Sequence, residues 1–299
     1  MSADRRRVVV TGATAGLGFF AAEQLAAQGH RVVLAARDPE RAVRAADTIR
    51  ENVPGADLET VDLDLADLAS VASGAAAAAA GGEVDVLLAN AGVVGSRRRQ
   101  TTADGFELQF GTNHLGHFAL VSHLMPALAA ASAGRIVHLG SISHRFVRLD
   151  LDDPMMVSSY SGSVAYARSK LAVMTFGFEL DRRLREAGSS VTSLVAHPGF
   201  SWEATSEPRP PVVVPRRPPA VLTSISHTFS QGKETGAEPL VRAATGDPVA
   251  GGEYWGPAGW FQLTGAPALV PAKRHARDPA AAARLWSVSA DLTSTEPVL

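Results

Sequence analysis

The chain has 299 residues, 46% of them hydrophobic, which is enough to bury a substantial core. Its 28 Lys and Arg nearly balance 30 Asp and Glu, so bulk charge invites neither nucleic acid nor an anionic membrane, and Arg97, Arg98 and Arg99 read as a solvated loop. Without a single cysteine, disulfides, thiolate metal sites and cysteine nucleophiles are excluded.

The opening "MSADRRR" has no apolar run followed by a small-residue cleavage site. Charges also interrupt the alanine-rich stretches before a membrane span could accumulate. A soluble cytoplasmic protein is the expectation. "RVVVTG", "HRVVLAAR", "DLETVDL", "VDVLLANAG", "GRIVHLGS" and "SVTSLVAHPG" read as strands, each ending at a loop former. Between them helices are predicted over 17–28, 39–50, 65–80, 102–131 and 164–187. This alternation predicts an α/β fold, a doubly wound parallel sheet with helices on both faces, whose ligands sit at the carboxyl ends of the strands.

The first strand runs into Gly12, Gly16 and Gly18 and then into an apolar helix. Strand, glycine turn and helix in that order suit a pyrophosphate, because the turn lets the backbone approach closely and the helix start offers free N–H groups. At the end of the second strand, an acid would bind a ribose 2′-hydroxyl and an arginine would accommodate a 2′-phosphate. Ala36 is uncharged and Arg37 basic, so NADP(H) is favoured over NAD(H), with Asp38 close by as the counter-argument. Further on, "SVAYARSKLAV" sets Tyr166 and Lys170 four residues apart, on one helix face. An ammonium beside a phenol favours the phenolate and lowers a pKa of about 10, giving a proton carrier usable near neutral pH.

Prolines crowd residues 203–231 and rule out a regular helix through most of that stretch. A loop that long is expected to act as a mobile cover over the site, within one domain spanning 1–299. Beyond it, "GGEYWGPAGWFQLTG" carries aromatics for which core packing is the first reading and a pocket wall the second. His114, His117 and His197 show no zinc-ligand spacing, and no metal is required.

Taken together, "TGATAGLG", "NAG" at 90–92, "NHLGHF" at 113–118, "GRIVHLGSISH" at 134–144, "YARSK" and "HPG" at 197–199 resemble the short-chain dehydrogenase/reductase family. Their order and spacing match its single-domain branch with a Rossmann fold. "FGTNHLGHF", "SISH" and "GEYWGPAGWF" look like the subgroup that contains retinol dehydrogenases. The resemblance implies an NAD(P)-dependent oxidoreductase acting on an alcohol or carbonyl, with Tyr166 as general acid or base. By position, Lys170 would hold the nicotinamide ribose, Ser141 the substrate oxygen, and Asn113 a water in a proton relay. Thr11, Gly12, Gly16, Leu17, Gly18, Arg37, Asp64, Leu65, Asn90, Ala91, Gly92, Pro198 and Gly199 would complete the cofactor site, with Asp64 at the adenine amino group. His144 matches the subgroup's histidine after the serine.

One departure stands out: the family's threonine after the Pro-Gly is replaced by Trp202, leaving Ser201 or Thr205 to supply its contact. The subgroup implies a lipophilic small molecule, for which Phe146, Val147, Met155, Met156, Trp202, Trp255 and Trp260 could form an apolar wall. Homo-oligomers are frequent in the family, but no interface is legible. The rivals are a non-catalytic nucleotide-binding sensor on the same fold, which would commonly lose Tyr166 or Lys170, and a sugar-nucleotide enzyme of the extended branch, which would carry a larger C-terminal region.

Overall fold

Val8, Val9 and Val10 are all fully buried, yet they belong to two different cores. Val8 and Val10 face one side of a sheet and Val9 the other, as the period of two demands, and a strand covered on both faces therefore reads as an unbroken apolar run. In the computed structural model, which describes residues 5–95, 97–214 and 229–299, this strand is β1 (Arg7–Thr11). It stands inside an eight-stranded sheet with β2 (Arg31–Ala36), β3 (Leu58–Asp62), β4 (Val86–Ala89), β5 (Arg135–Leu139), β6 (Thr192–Ala196), β7 (Tyr254–Pro257) and β8 (Pro267–Leu269).

The spatial order is β3-β2-β1-β4-β5-β6-β7-β8. Strands pair in parallel from β3 through β7, and β8 closes the edge antiparallel. Chain order reverses direction between β1 and β4, which opens a crevice at their carboxyl ends. On one face lie α1 (Gly16–Ala27), α2 (Pro39–Asn52) and α7 (Lys233–Thr245), packing Phe19, Ile49 and Leu240 against Val8, Leu34 and Leu88. The opposite face is covered by α3 (Leu68–Ala80), α5 (Gly116–Ala130), α6 (Gly162–Glu186) and α8 (Pro279–Thr293), which bring Val71, Phe118, Phe176 and Trp286 onto Val9, Leu87 and Ile136.

Several boundaries differ from expectation, each for a local reason. The third helix starts at Leu68 rather than Leu65, because Asp67 turns back to accept from the N–H groups of Ala69 and Ser70, at 2.9 and 3.2 Å. The predicted helix over 102–131 is broken. Gly105, at φ +85°, makes a turn there, and helix begins only with α4 (Leu108–Phe110). A π turn over Gly111–Leu115 then joins α4 to α5. Such a widened turn is often found at functional sites.

Of the proline-rich stretch, residues 215–228 lie outside the described residues. Its described ends are tied down: Ser201 bridges Gln231, Arg209 bridges Val213, and Arg209 Nε donates to Glu23 of α1 at 2.8 Å. The aromatic tail splits between both readings. Tyr254 and Trp255 are core, whereas Trp260 and Phe261 are 69% and 62% exposed.

Candidate active site

A cleft of about 630 Å³ opens where the strand order reverses. Its floor is the end of β1. There Thr11 Oγ1 accepts from the N–H groups of Asn90 and Ala91, both at 2.9 Å, and Asn90 Nδ2 donates to the Thr11 carbonyl at 2.8 Å. His117 Nδ1 lies 2.9 Å from the Asn113 carbonyl and so carries the proton, leaving Nε2 to accept from the Thr11 hydroxyl at 3.0 Å. One threonine thus locks the glycine turn to the loop after β4.

Gly12 sits at φ +68°, a conformation that side chains rarely adopt. A Cβ on Gly18 would fall 2.3 Å from the Gly12 carbonyl oxygen, so only glycine lets the helix start this close to the strand. No side chain caps α1, and its first N–H groups are left for a ligand. Asn90 Oδ1 is likewise buried without a partner among the described residues, while Asn90 itself lines the cleft. Free helix N–H groups and a glycine cradle fit a dinucleotide diphosphate, and the unsatisfied Asn90 Oδ1 fits a hydroxyl donor such as that of a ribose.

At the β2 end the cleft is walled by Ala36, Arg37 and Arg41. Asp38, which could have acted as the ribose acid, spends its carboxylate capping α2, accepting from the Arg41 N–H at 3.0 Å. Asp64 Oδ1 accepts from Ala66 N–H at 2.9 Å, and Asp64, Leu65 and Ala66, which follow the adjacent strand β3, also line the cleft.

The other end is built from β5, the π turn and α6. Tyr166 hydrogen-bonds to Ser141, whose hydroxyl oxygen also accepts from Ser143 N–H at 3.2 Å and Ser143 Oγ at 3.0 Å. His144 Nδ1 donates to the Ser141 carbonyl at 2.6 Å and holds that turn. Lys170 is buried, and its Nζ donates to the Leu139 carbonyl at 3.0 Å. Asn113 is fully buried: Oδ1 accepts from Val93 N–H at 2.7 Å, and Nδ2 donates to the Val93 carbonyl at 3.1 Å and to Ser169 Oγ at 2.9 Å. Asn113 and Lys170 flank the same glycine, since a Cβ on Gly92 would meet Asn113 Oδ1 at 3.1 Å and Lys170 Nζ at 3.5 Å.

Burial pushes the Lys170 ammonium down to about 8. It raises the Tyr166 phenol, against which the Ser141 hydrogen bond pulls down. This corrects the expectation drawn from the Tyr–Lys spacing. Lys170 is directed to the Leu139 carbonyl, and desolvation of the phenolate is the larger influence on Tyr166, so the shift is upward.

Of the residues expected at the cofactor, Thr11, Gly12, Leu17, Gly18, Arg37, Asp64, Leu65, Asn90, Ala91, Gly92, Tyr166 and Lys170 line the cleft together. Gly16, Asn113 and Ser141 are not among the lining residues, but Gly16 lies between the lining Ala15 and Leu17, Asn113 flanks Gly92, and Ser141 hydrogen-bonds to Tyr166. Pro198 and Gly199 do not line it. The Pro198 carbonyl is taken by Ser201 Oγ at 2.7 Å and Gln231 Nε2 at 3.0 Å. Neither proposed stand-in for the missing threonine reaches the cleft either, because Ser201 is bonded to Pro198 and Thr205 Oγ1 to the Trp202 carbonyl at 2.9 Å. Arg41, Ser143 and Lys233 are additions. Arg41 follows Asp38 by one capping-turn spacing and could have been found; Lys233 is brought in from a distant helix and could not.

Sheet, crevice, glycine cradle and a cluster of buried Lys170 and Asn113 with half-buried Tyr166 and Ser141 suit a nucleotide-dependent oxidoreductase of the Rossmann class. The short chain dehydrogenase family model matches residues 6–206, and the chain belongs to that family. It is similar to human Retinol dehydrogenase 13, at 36% identity over 295 residues, covering 97% of this chain and 85% of that protein. Mouse Polyprenol dehydrogenase is 42% identical over 199 residues, 65% of this chain and 59% of its own length. A crystal structure of an uncharacterised protein from Mycobacterium Paratuberculosis superposes with a TM-score of 0.80 at 36% identity, covering 100% of this chain and 99% of that one. The protein is accordingly an NAD(P)-binding dehydrogenase that acts on alcohol or carbonyl groups. No described helix is long and apolar enough to cross a membrane.

Proposed function

We propose that the chain transfers a hydride between NADP(H) and a lipophilic alcohol or carbonyl compound, with Tyr166 moving the proton. The observation that carries this reading is the convergence of Tyr166, Ser141, Lys170 and Asn113 at one end of a cleft whose other end is a glycine turn. The cofactor, when bound, supplies the two-electron chemistry. In carbonyl reduction the Tyr166 hydroxyl donates its proton to the substrate oxygen, and in alcohol oxidation the phenolate takes one back. Ser141 holds that oxygen with its own O–H, its acceptor sites already serving Ser143. Lys170, cationic below about pH 8, would hold the nicotinamide ribose. Asn113 braces the loop after β4 against α6 through Val93 and Ser169.

The preference for NADP(H) is supported by two exposed arginines at the β2 end and by a neighbouring carboxylate already committed to a helix cap. A lipophilic substrate is supported by the exposed rings of Trp260 and Phe261. Their turn is joined to the one carrying Ser141 where Arg145 Nη1 donates to the Phe261 carbonyl at 3.5 Å. Relatives that bear the names of retinol and polyprenol dehydrogenases point the same way. Retention of both Tyr166 and Lys170 speaks against a non-catalytic sensor. The test is a cofactor-oxidation screen against long-chain and short-chain aldehydes and ketones, run with NADPH and NADH side by side. Faster turnover of long apolar carbonyls with NADPH is expected. Turnover confined to small polar carbonyls, or to NADH, would overturn the substrate or the cofactor half of the proposal respectively.

A further inference from the structure

Four cationic side chains line the cleft, Arg37, Arg41, Lys170 and Lys233, against one carboxylate, Asp64. In a chain of net charge −2 this is a local concentration of positive charge. The two arginines belong to the β2 end and Lys170 to the reacting end. Lys233 has no place in the reading so far.

Lys233 is the first residue of α7, on the far side of the proline-rich stretch from β6. Its N–H donates to Ser206 Oγ at 2.9 Å, and the next residue, Glu234, accepts from the Glu207 N–H at 3.1 Å. One turn further, a Cβ on Gly236 would meet Ser201 Oγ at 2.0 Å and Leu17 Cδ2 at 3.0 Å. The start of α7 is therefore pressed onto the start of α1, and Lys233 enters the cleft beside Thr14, Ala15, Leu17 and Gly18 of the glycine turn. Burial lowers its pKa and only Glu203 acts in the other direction, through space, without an ion pair among the described residues. A half-buried ammonium with no carboxylate partner is costly unless a ligand supplies the anion.

We propose that Lys233 is the diphosphate-binding cation of this site, reaching over the glycine turn from α7. The inference rests on the dinucleotide reading above and deepens it. It also answers the loss of the family threonine: where Trp202 stands and Ser201 and Thr205 are turned away, the segment after β6 meets the cofactor through Lys233 instead. The 2′-phosphate is left to Arg37 and Arg41.

The test is equilibrium binding, read by calorimetry on the full chain, of NADPH, NADH, 2′-phospho-ADP-ribose and adenosine 2′-monophosphate to wild type, Lys233→Gln and Lys233→Arg. Thermal melts of the three proteins establish that each is folded. Loss of one charge-assisted contact predicts that Lys233→Gln weakens the three diphosphate ligands by a common factor of about ten. Adenosine 2′-monophosphate should bind within about twofold of wild type, and Lys233→Arg should recover most of the loss. Added salt should weaken wild type more than Lys233→Gln. Unchanged NADPH and NADH binding in a folded Lys233→Gln would overturn the inference. So would weakening of NADPH alone, which would place Lys233 at the 2′-phosphate. Failure of wild type to bind either dinucleotide is a different result, and it would bring down the cofactor reading itself.

Discussion

The two ends of the cleft are built on opposite principles. At the β2 end, Arg37 and Arg41 are exposed, and the Asp38 cap orients the first turn of α2. At the α6 end, Asn113 and Lys170 are buried, and Asn113, Lys170 and Ser141 each hydrogen-bond to backbone as well as to one another's neighbours. An exposed cation makes a contact worth little until its anion arrives, so it can be exchanged without disturbing the fold. A buried polar group must be satisfied by the fold itself, and altering it disturbs chemistry and stability together. On the proposed reading, selectivity and catalysis are thereby placed where each can vary independently.

The strongest way to break this contrast is Tyr166→Phe. It removes the proton donor but leaves the cleft wall in place, so kcat should fall on the order of 10² to 10⁴-fold, with dinucleotide affinity changed little. A variant that turns over carbonyls at the wild-type rate would end the assignment. The raised Tyr166 pKa adds a signature in pH. Reduction needs the protonated phenol and should stay flat from about pH 6 to about pH 8, whereas oxidation needs the phenolate and should climb with pH.

Next in size comes acid. Burial holds His114, His138 and His197 down at about 3, and His117 and His144 at about 4, so all five are neutral in the folded chain. Once unfolded they would titrate near 6.5, so below that pH the unfolded state binds more protons and stability drops as pH falls. Each histidine contributes roughly 1.4 kcal/mol per pH unit between its unfolded and folded pKa. Melts between about pH 7 and about pH 5 should show a steep fall in Tm, and a flat profile would mean that these rings are not buried as described.

Smaller effects sharpen the contrast from both sides. Asn113→Ala leaves Val93 and Ser169 without their partner and should cost about 2 to 4 kcal/mol, measured by chemical denaturation, along with activity. Arg37→Ala with Arg41→Ala should raise the KM for NADPH about tenfold or more, while leaving NADH and the unfolding free energy nearly unchanged. Equal losses for both cofactors would show that the β2 end does not read the 2′-phosphate.

Six of the seven parallel strands, β1 to β6, were legible: the inner ones because a strand buried on both faces reads as an apolar run, and each because it stops at a loop former. β7 and β8 were not. Tyr254–Pro257 holds four residues, two of them Gly and Pro, and becomes a strand only because β6 offers an open edge. α7 was equally hidden, with Gly236 and Pro239 inside it. The predicted helix over 102–131 failed because Gly105 and the π turn interrupt an otherwise continuous apolar pattern, and that interruption is what carries Asn113 to the site.

By itself the amino-acid order determined the alternation of strands and helices, the glycine cradle and the shared helix face of Tyr166 and Lys170, since each depends on spacing within one local segment. Tertiary structure decided which groups meet across segments: Thr11 with Asn90 and His117, Asn113 with Ser169, and Lys233 with the turn before α1. It also decided the direction in which the Tyr166 pKa moves, because a pKa is set by desolvation and by the partner actually reached, and here the lysine reaches the Leu139 carbonyl.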